Sequence, residues 1–402
     1  MESTSSSSSS YIIYRPEKLK RCHVFDFLLP WRILKGSGHV ESSHHHEDYQ
    51  GSIETHWIAF LTCVIQKILL LINRPLSFLG FTLEFTLNFF SLNGGILKLI
   101  ARILTGSSLV IPDPESAEYR SFLGHLDGRI HLYRSSSAPS CIDKTPATSK
   151  IKGITPLELC MMAAKIAYDN PAYVKNVVTN HWKMHFVGFF NCWNEFLIDK
   201  TTQAFIFCDR PKNAQVIVVA FRGTETFNAK DWCTDVDLSW LSMGEMGRVH
   251  LGFMKALGLQ DEKDCVKGWP KDYRGDKELA YYMIREKLKT LLQKNKDAKI
   301  IITGHSLGAA LATLFPALLI YHQQHSILTS LFGIYTFGQP RVGEKQFGSF
   351  MEAQLNANFK RYIRVVYRFD IVPLGFPSMI DFQSSLTLEA ASTTMAGTTH
   401  RC

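Results

Sequence analysis

Gly304-His305-Ser306-Leu307-Gly308 constrains this chain more than any other stretch. An apolar run, Lys299-Ile300-Ile301-Ile302-Thr303, precedes it, and a helix-forming run, Ala309-Ala310-Leu311-Ala312-Thr313-Leu314-Phe315, follows it. The pattern predicts a strand, a sharp turn and a helix, with a serine at the apex. Glycines flank the serine because a Cβ at either place would meet the strand or the helix in so tight a turn. The turn lifts the Ser306 hydroxyl above the sheet edge. It also aims the Leu307 N–H, at a helix N-terminus, toward the place where an oxyanion would form.

A serine held this way is the nucleophile elbow of α/β-hydrolases, so an α/β fold with a central, mostly parallel sheet is expected. The other parts of such a site fall at consistent places. Gln215-Val216-Ile217-Val218-Val219-Ala220-Phe221 reads as a buried central strand, and it runs into Arg222-Gly223-Thr224-Glu225. A second oxyanion donor belongs on a loop after a central strand, and Thr224 offers both an N–H and a hydroxyl there. Alone, the same loop reads equally as a strand-end turn. Tyr362-Ile363-Arg364-Val365-Val366-Tyr367 reads as a further strand, with Asp370 just past its end. A carboxylate so placed can orient a histidine and stabilise its imidazolium, and the order Ser then Asp matches this fold.

Five blocks, in order, carry a resemblance. Phe221-Arg222-Gly223-Thr224-Glu225, Val249-His250-Leu251-Gly252-Phe253, the stretch from Gly304 to Ala312, Phe337-Gly338-Gln339-Pro340-Arg341-Val342-Gly343 and Asp370-Ile371-Val372-Pro373 resemble the series found in class 3 (fungal-type) lipases. The amino-terminal part, from Tyr14-Arg15-Pro16-Glu17-Lys18 to Ile111-Pro112-Asp113-Pro114, is similar to plant oil-body triacylglycerol lipases of that class. The resemblance implies a nucleophile at Ser306, a triad acid at Asp370, oxyanion donors at Thr224 and Leu307, and a mobile lid after Glu225. Phe227, Trp232, Val236, Leu238 and Trp240 suit a lid that opens against lipid, and suit ordinary core packing equally.

The family's third catalytic residue is a histidine well beyond the aspartate, and here the sequence departs. Only His400 follows Asp370, in a terminal Thr398-Thr399-His400-Arg401-Cys402 of the kind that frays. A catalytic imidazole needs a packed surrounding to hold it. Neither His250, at an expected strand–helix junction, nor His305, directed away from Ser306, is a good substitute. His44-His45-His46 sits in a polar stretch and reads as solvated loop. Back-translation of Thr387 to Arg401 permits another frame that resembles the missing family segment. A frame change between Pro373 and Ser384 is the expected origin of the tail.

Composition is consistent with a lipid enzyme. The chain has 402 residues, of which 46% are hydrophobic, enough for one large α/β domain with added segments. A formal charge of +8 comes with no nucleic-acid motif. Nine scattered cysteines fit reduced thiols better than a disulfide framework. No His/Cys/Asp cluster has metal-ligand spacing, and no cofactor is implied. Two apolar arms in 57–104, separated by Asn73-Arg74-Pro75, are each shorter than the roughly 20 residues needed to cross a bilayer. They are expected to form a hairpin entering one leaflet, polar stripes facing each other; the alternative is a helical pair packed on the catalytic domain. Arg15, Lys18, Lys20, Arg21, Arg32 and Lys35, near Phe25, Phe27, Leu28, Leu29 and Trp31, add an expected interfacial anchor. Thr155-Pro156-Leu157-Glu158 opens the hydrolase domain as a capping box.

The expected organisation is a Ser-rich start and basic interfacial segment (1–56), a helical hairpin (57–106), a linker (107–150), an α/β-hydrolase domain (151–383) and an aberrant tail (384–402). The expected activity is hydrolysis of triacylglycerol by Ser306, at the cytosolic face of lipid droplets and endoplasmic reticulum. Alternatives are a catalytically impaired lipase-like protein on the droplet surface, and a phospholipase or galactolipase. Oligomeric state is not readable. Without a positioned base the serine hydroxyl is a weak nucleophile. The 402-residue chain and its His400→Ala variant should therefore hydrolyse emulsified triacylglycerol equally slowly, and far more slowly than a form with the family's histidine segment restored. Full activity that His400→Ala abolishes would contradict this.

Overall fold

The computed structural model describes residues 11–18, 40–42, 53–133, 151, 153–355 and 361–366. In chain order the strands are β1 (Tyr11–Tyr14), β2 (Val40–Ser42), β3 (His185–Asn194), β4 (Asp199–Cys208), β5 (Val216–Phe221), β6 (Trp240–Ser242), β7 (Arg248–His250), β8 (Lys299–His305), β9 (Leu331–Phe337) and β10 (Tyr362–Val365). The large sheet has the order β10-β9-β8-β5-β4-β3. From β5 to β10 the neighbours are parallel; β3 and β4 extend the sheet antiparallel. This is the α/β-hydrolase sheet that the elbow predicts.

Helices cover both faces of this sheet, which is why its central strands are continuous apolar runs. All six residues of β5 are buried. Side chains alternate between the two layers, as strand geometry requires. Ile217, Val219, Phe221, Ile300 and Ile302 join one core. Val216, Val218, Ala220 and Ile301 join the other.

Seven helices position the site: α1 (Ile53–Leu92), α2 (Ile96–Leu104), α3 (Pro156–Ile166), α4 (Ala229–Val236), α5 (Leu251–Leu257), α6 (Ala280–Lys294) and α7 (Leu307–Tyr321). α5, α6 and α7 pack in the first core and α3 in the second. Half of the expected capping box forms: the Thr155 side chain accepts the Glu158 N–H, with Pro156 at the first helical turn, while the Glu158 carboxylate accepts the Tyr133 N–H instead of that of Thr155.

The amino-terminal region differs from expectation in three ways. First, Pro75 does not break the helix; α1 runs unbroken for 40 residues with Pro75 inside it. The chain turns only at Asn93-Gly94-Gly95, where both glycines take positive φ. An interior proline costs about 3 kcal/mol. Contacts on both sides of Pro75 offset that cost. Gln66 and Asn73 before it, and Gly80, Glu84 and Asn88 after it, fall on one helical face, and that face lies against the rest of the molecule. Asn88 shows the strength of this docking: it accepts the Arg120 N–H at 2.9 Å and donates to the Arg120 carbonyl at 2.8 Å.

Second, the polar stripe does not face another membrane arm. Thr62, Gln66, Asn88 and Asn93 are buried against the protein, while Leu71, Phe78, Leu97 and Leu104 are each more than 70% exposed. The segment is polar inward and apolar outward, the reverse of an ordinary surface helix.

Third, the start and the linker are tied into the fold. β1 pairs with β2 and with β6 in a second sheet of order β2-β1-β6-β7. Arg15 forms ion pairs with Glu41 and Glu262, so it is not an interfacial anchor. Asn170 Nδ2 donates to the carbonyls of Pro114 and Ser116 at 2.9 Å, and Trp182 Nε1 to that of Ile130 at 2.8 Å. The described part of 107–150 is therefore strapped to the hydrolase domain. Lys20, Arg21, Arg32, Lys35, the three adjacent histidines and the tail lie outside the described residues.

Candidate active site

β8 ends at His305 and α7 begins at Leu307, leaving Ser306 alone between them. Its φ is 54° and its ψ is −125°, a conformation that L-residues rarely adopt. Strain of this kind costs about 1–3 kcal/mol and persists only where the surroundings dictate it. They do so here. A Cβ on Gly304 would collide with the carbonyl of Gly308, and one on Gly308 with the carbonyl of Phe221. The two glycines thus let strand and helix approach each other and the neighbouring strand. The Ser306 N–H donates to the Phe337 carbonyl at 3.0 Å, which pins the turn to β9. Leu307 is the first residue of α7, so its N–H has no intrahelical acceptor and points at the elbow.

Parallel pairing sets Phe221 of β5 opposite Gly304 of β8. The chain leaving β5 therefore passes beside the elbow as Arg222-Gly223-Thr224-Glu225. Its shape is fixed by α4. Arg222 is buried and pairs with Glu225 and with Asp231, the latter at 3.3 Å. Asp231 also accepts the Glu225 N–H at 3.2 Å. The Thr224 hydroxyl donates to Asp235 Oδ2 at 2.6 Å.

Three of the four residues singled out by sequence, Ser306, Leu307 and Thr224, are thus brought to one point of the fold. Asp370 and His400 lie outside the described residues. His250 and His305 are engaged elsewhere. His250 accepts the Phe253 N–H at 3.4 Å, touches the Asp237 carbonyl and stacks on Phe253; burial pushes its imidazole down to about 4. His305 Nδ1 is bonded to the Tyr168 hydroxyl at 2.8 Å. Among the described residues no three His, Cys, Asp or Glu side chains are grouped to hold a metal ion. Cys63, Cys160, Cys192, Cys208 and Cys233 are buried free thiols.

The residues expected to form a lid divide. Trp232 lies on α4 and is 39% exposed, whereas Trp240 belongs to β6 and Leu238 packs near Tyr14 and Cys63. Sequence reading missed Asp231 and Asp235. The available signal was a pair of aspartates at i and i+4 just after the candidate oxyanion loop, on one helical face.

Burial holds the Asp235 carboxyl up at about 7; the Thr224 hydrogen bond opposes this and the nearby Asp231 adds to it. A carboxyl raised in the folded state binds more protons folded than unfolded, here from about pH 4 to pH 7. Its ionisation therefore weakens the fold progressively as pH rises through that window. Asp235→Asn removes this ionisation and leaves an oxygen to accept from Thr224. Its stability relative to the wild type should grow between pH 5 and pH 8 by on the order of 3 kcal/mol. Denaturant melts at the two pH values would read this; a constant difference would contradict it.

Comparison with known proteins bears on this geometry. The family model for lipase (class 3) matches residues 218–379. The triacylglycerol lipase OBL1 of Nicotiana tabacum is 41% identical over 387 residues, covering 81% of this chain and 67% of that protein. The protein of the same description from Ricinus communis is 36% identical, covering 91% of this chain and 76% of that one. Among solved structures, the lipase from Rhizopus microsporus var. chinensis aligns at 24% identity over 64% of this chain and 80% of that chain, with a TM-score of 0.40. This chain belongs to the class 3 lipase family.

Proposed function

We propose that this chain is a serine-dependent triacylglycerol hydrolase that works embedded in a lipid surface. The observation that carries the reading is the strained elbow at Ser306 with the Thr224 loop beside it. The relatives' description as triacylglycerol lipases supports the substrate class. In this mechanism Ser306 Oγ attacks the acyl carbonyl, and its proton passes to the family's histidine, the group restored in a histidine-complete form, which Asp370 would orient. The N–H groups of Leu307 and Thr224 receive the negative charge that develops on the carbonyl oxygen. A strong donor of this kind contributes about 3–4 kcal/mol to the transition state. Collapse of the tetrahedral intermediate expels the alcohol, which takes the proton from the histidine, and water then releases the fatty acid.

The lipid surface is proposed from the outward face of α1 and α2. α1 is about 60 Å long, twice the hydrocarbon thickness of a bilayer. Lying along a surface with its inner face on the protein suits it better than crossing. Each exposed Leu or Phe gains about 1.5–3 kcal/mol on leaving water. The monolayer of a lipid droplet, and the cytosolic leaflet of the endoplasmic reticulum, would accept such a face.

Two measurements test this. A fluorophosphonate probe should label a histidine-complete form at Ser306 and spare Ser306→Ala; equal labelling of both would exclude Ser306 as the nucleophile. Replacing Leu71, Phe78, Leu97 and Leu104 together by glutamine should move the full chain from the floating lipid fraction to the soluble one. Unchanged flotation would mean that this face is not the lipid contact.

A further inference from the structure

α4 lies between the long helix and the oxyanion loop. On its outer side Gln66 Nε2 donates to the Cys233 carbonyl at 3.4 Å, and Asn73 Oδ1 accepts the Lys230 N–H at 3.3 Å. Just before α4, Phe227 sits against Gly80 so closely that a Cβ on Gly80 would collide with it, and its ring meets Phe122 edge-on at 5.1 Å. On its inner side, Asp231 and Asp235 hold Glu225 and Thr224. An eight-residue helix has little stability of its own, so these contacts on its two sides set where it sits.

The outer contacts have a particular chemistry. Gln66, Asn73 and Gly80 are spaced by seven residues and share the inward face of a helix whose other face is apolar. In lipid, apolar side chains do not distinguish protein from acyl chains, so polar and small residues fix how a helix docks. Rotating α1 by one residue would carry Gln66 and Asn73 toward lipid, where an unpaired amide costs several kcal/mol. In water the same amides can bond to solvent, and the docking is weaker.

We propose that Gln66 and Asn73 are positioning residues of the esterase site: through α4 they hold Thr224 in place. The proposal rests on the reading of Ser306 and Thr224 given above and adds which residues outside the site hold its loop.

The test uses a histidine-complete form of the full chain bound to a triolein–phosphatidylcholine emulsion, as wild type, Gln66→Leu/Asn73→Ala and Asn73→Asp. The aspartate still accepts the Lys230 N–H. Two readouts are taken: hydrogen exchange across 224–236, and the rate at which a soluble fluorophosphonate labels Ser306. In the double variant, exchange should quicken and labelling should slow, each about tenfold, with flotation unchanged. Asn73→Asp should stay within about twofold of wild type. Unchanged exchange in the double variant overturns the proposal, and so does faster exchange with unchanged labelling. If exchange behaves as expected but wild type is never labelled at Ser306, the link from α1 to the loop is upheld and the esterase reading falls.

Discussion

The parallel pairing of β5 with β8 is the constraint on which the candidate site depends. It sets Phe221 beside Gly304, so two chain segments about 80 residues apart arrive at the same sheet edge together. The elbow then has its oxyanion loop as an immediate neighbour. Gly308 is the contact that makes this possible, since its missing side chain leaves room for the Phe221 carbonyl. Shifting β5 by one residue would exchange its two core faces and move the loop past the serine. Burial of all six β5 side chains, shared between two cores, resists that shift.

A second principle organises the amino-terminal half. A helix in water hides its apolar side, whereas α1 hides Thr62, Gln66 and Asn88 and shows Leu71 and Phe78. The inversion makes sense if the surroundings are lipid on one side and protein on the other. A buried amide then has a purpose, because a hydrogen bond to the domain replaces one that water would have made. Asn88 on the Arg120 backbone is the best-formed case.

What was legible in the sequence follows from how local the signal was. The strands expected at 215–221, 299–303 and 362–367 lie within one or two residues of β5, β8 and β10, because continuous apolar runs and the glycine-flanked serine are local patterns. The Thr155 helix cap is local too. The continuity of α1 through Pro75 was not legible: proline signals a break, and only docking on both sides of it reverses the outcome. Nor was β1, whose partner β6 lies more than 200 residues away. Asp231 and Asp235 were visible as residues, but their role depends on α4 lying against the Thr224 loop, a tertiary fact.

The distance along the chain between Asn73 and Lys230 has a consequence for biosynthesis. They are 157 residues apart. At about 5–20 residues per second, α1 emerges from the ribosome roughly 8–30 s before its docking partner exists. During that interval the amides of its inward face have no acceptor in the domain. Its apolar side is open throughout that interval, before the helix is part of an enzyme. The order of events is therefore written into the chain: the long helix first, the catalytic domain second, with the later-made half folding onto a helix that already exists.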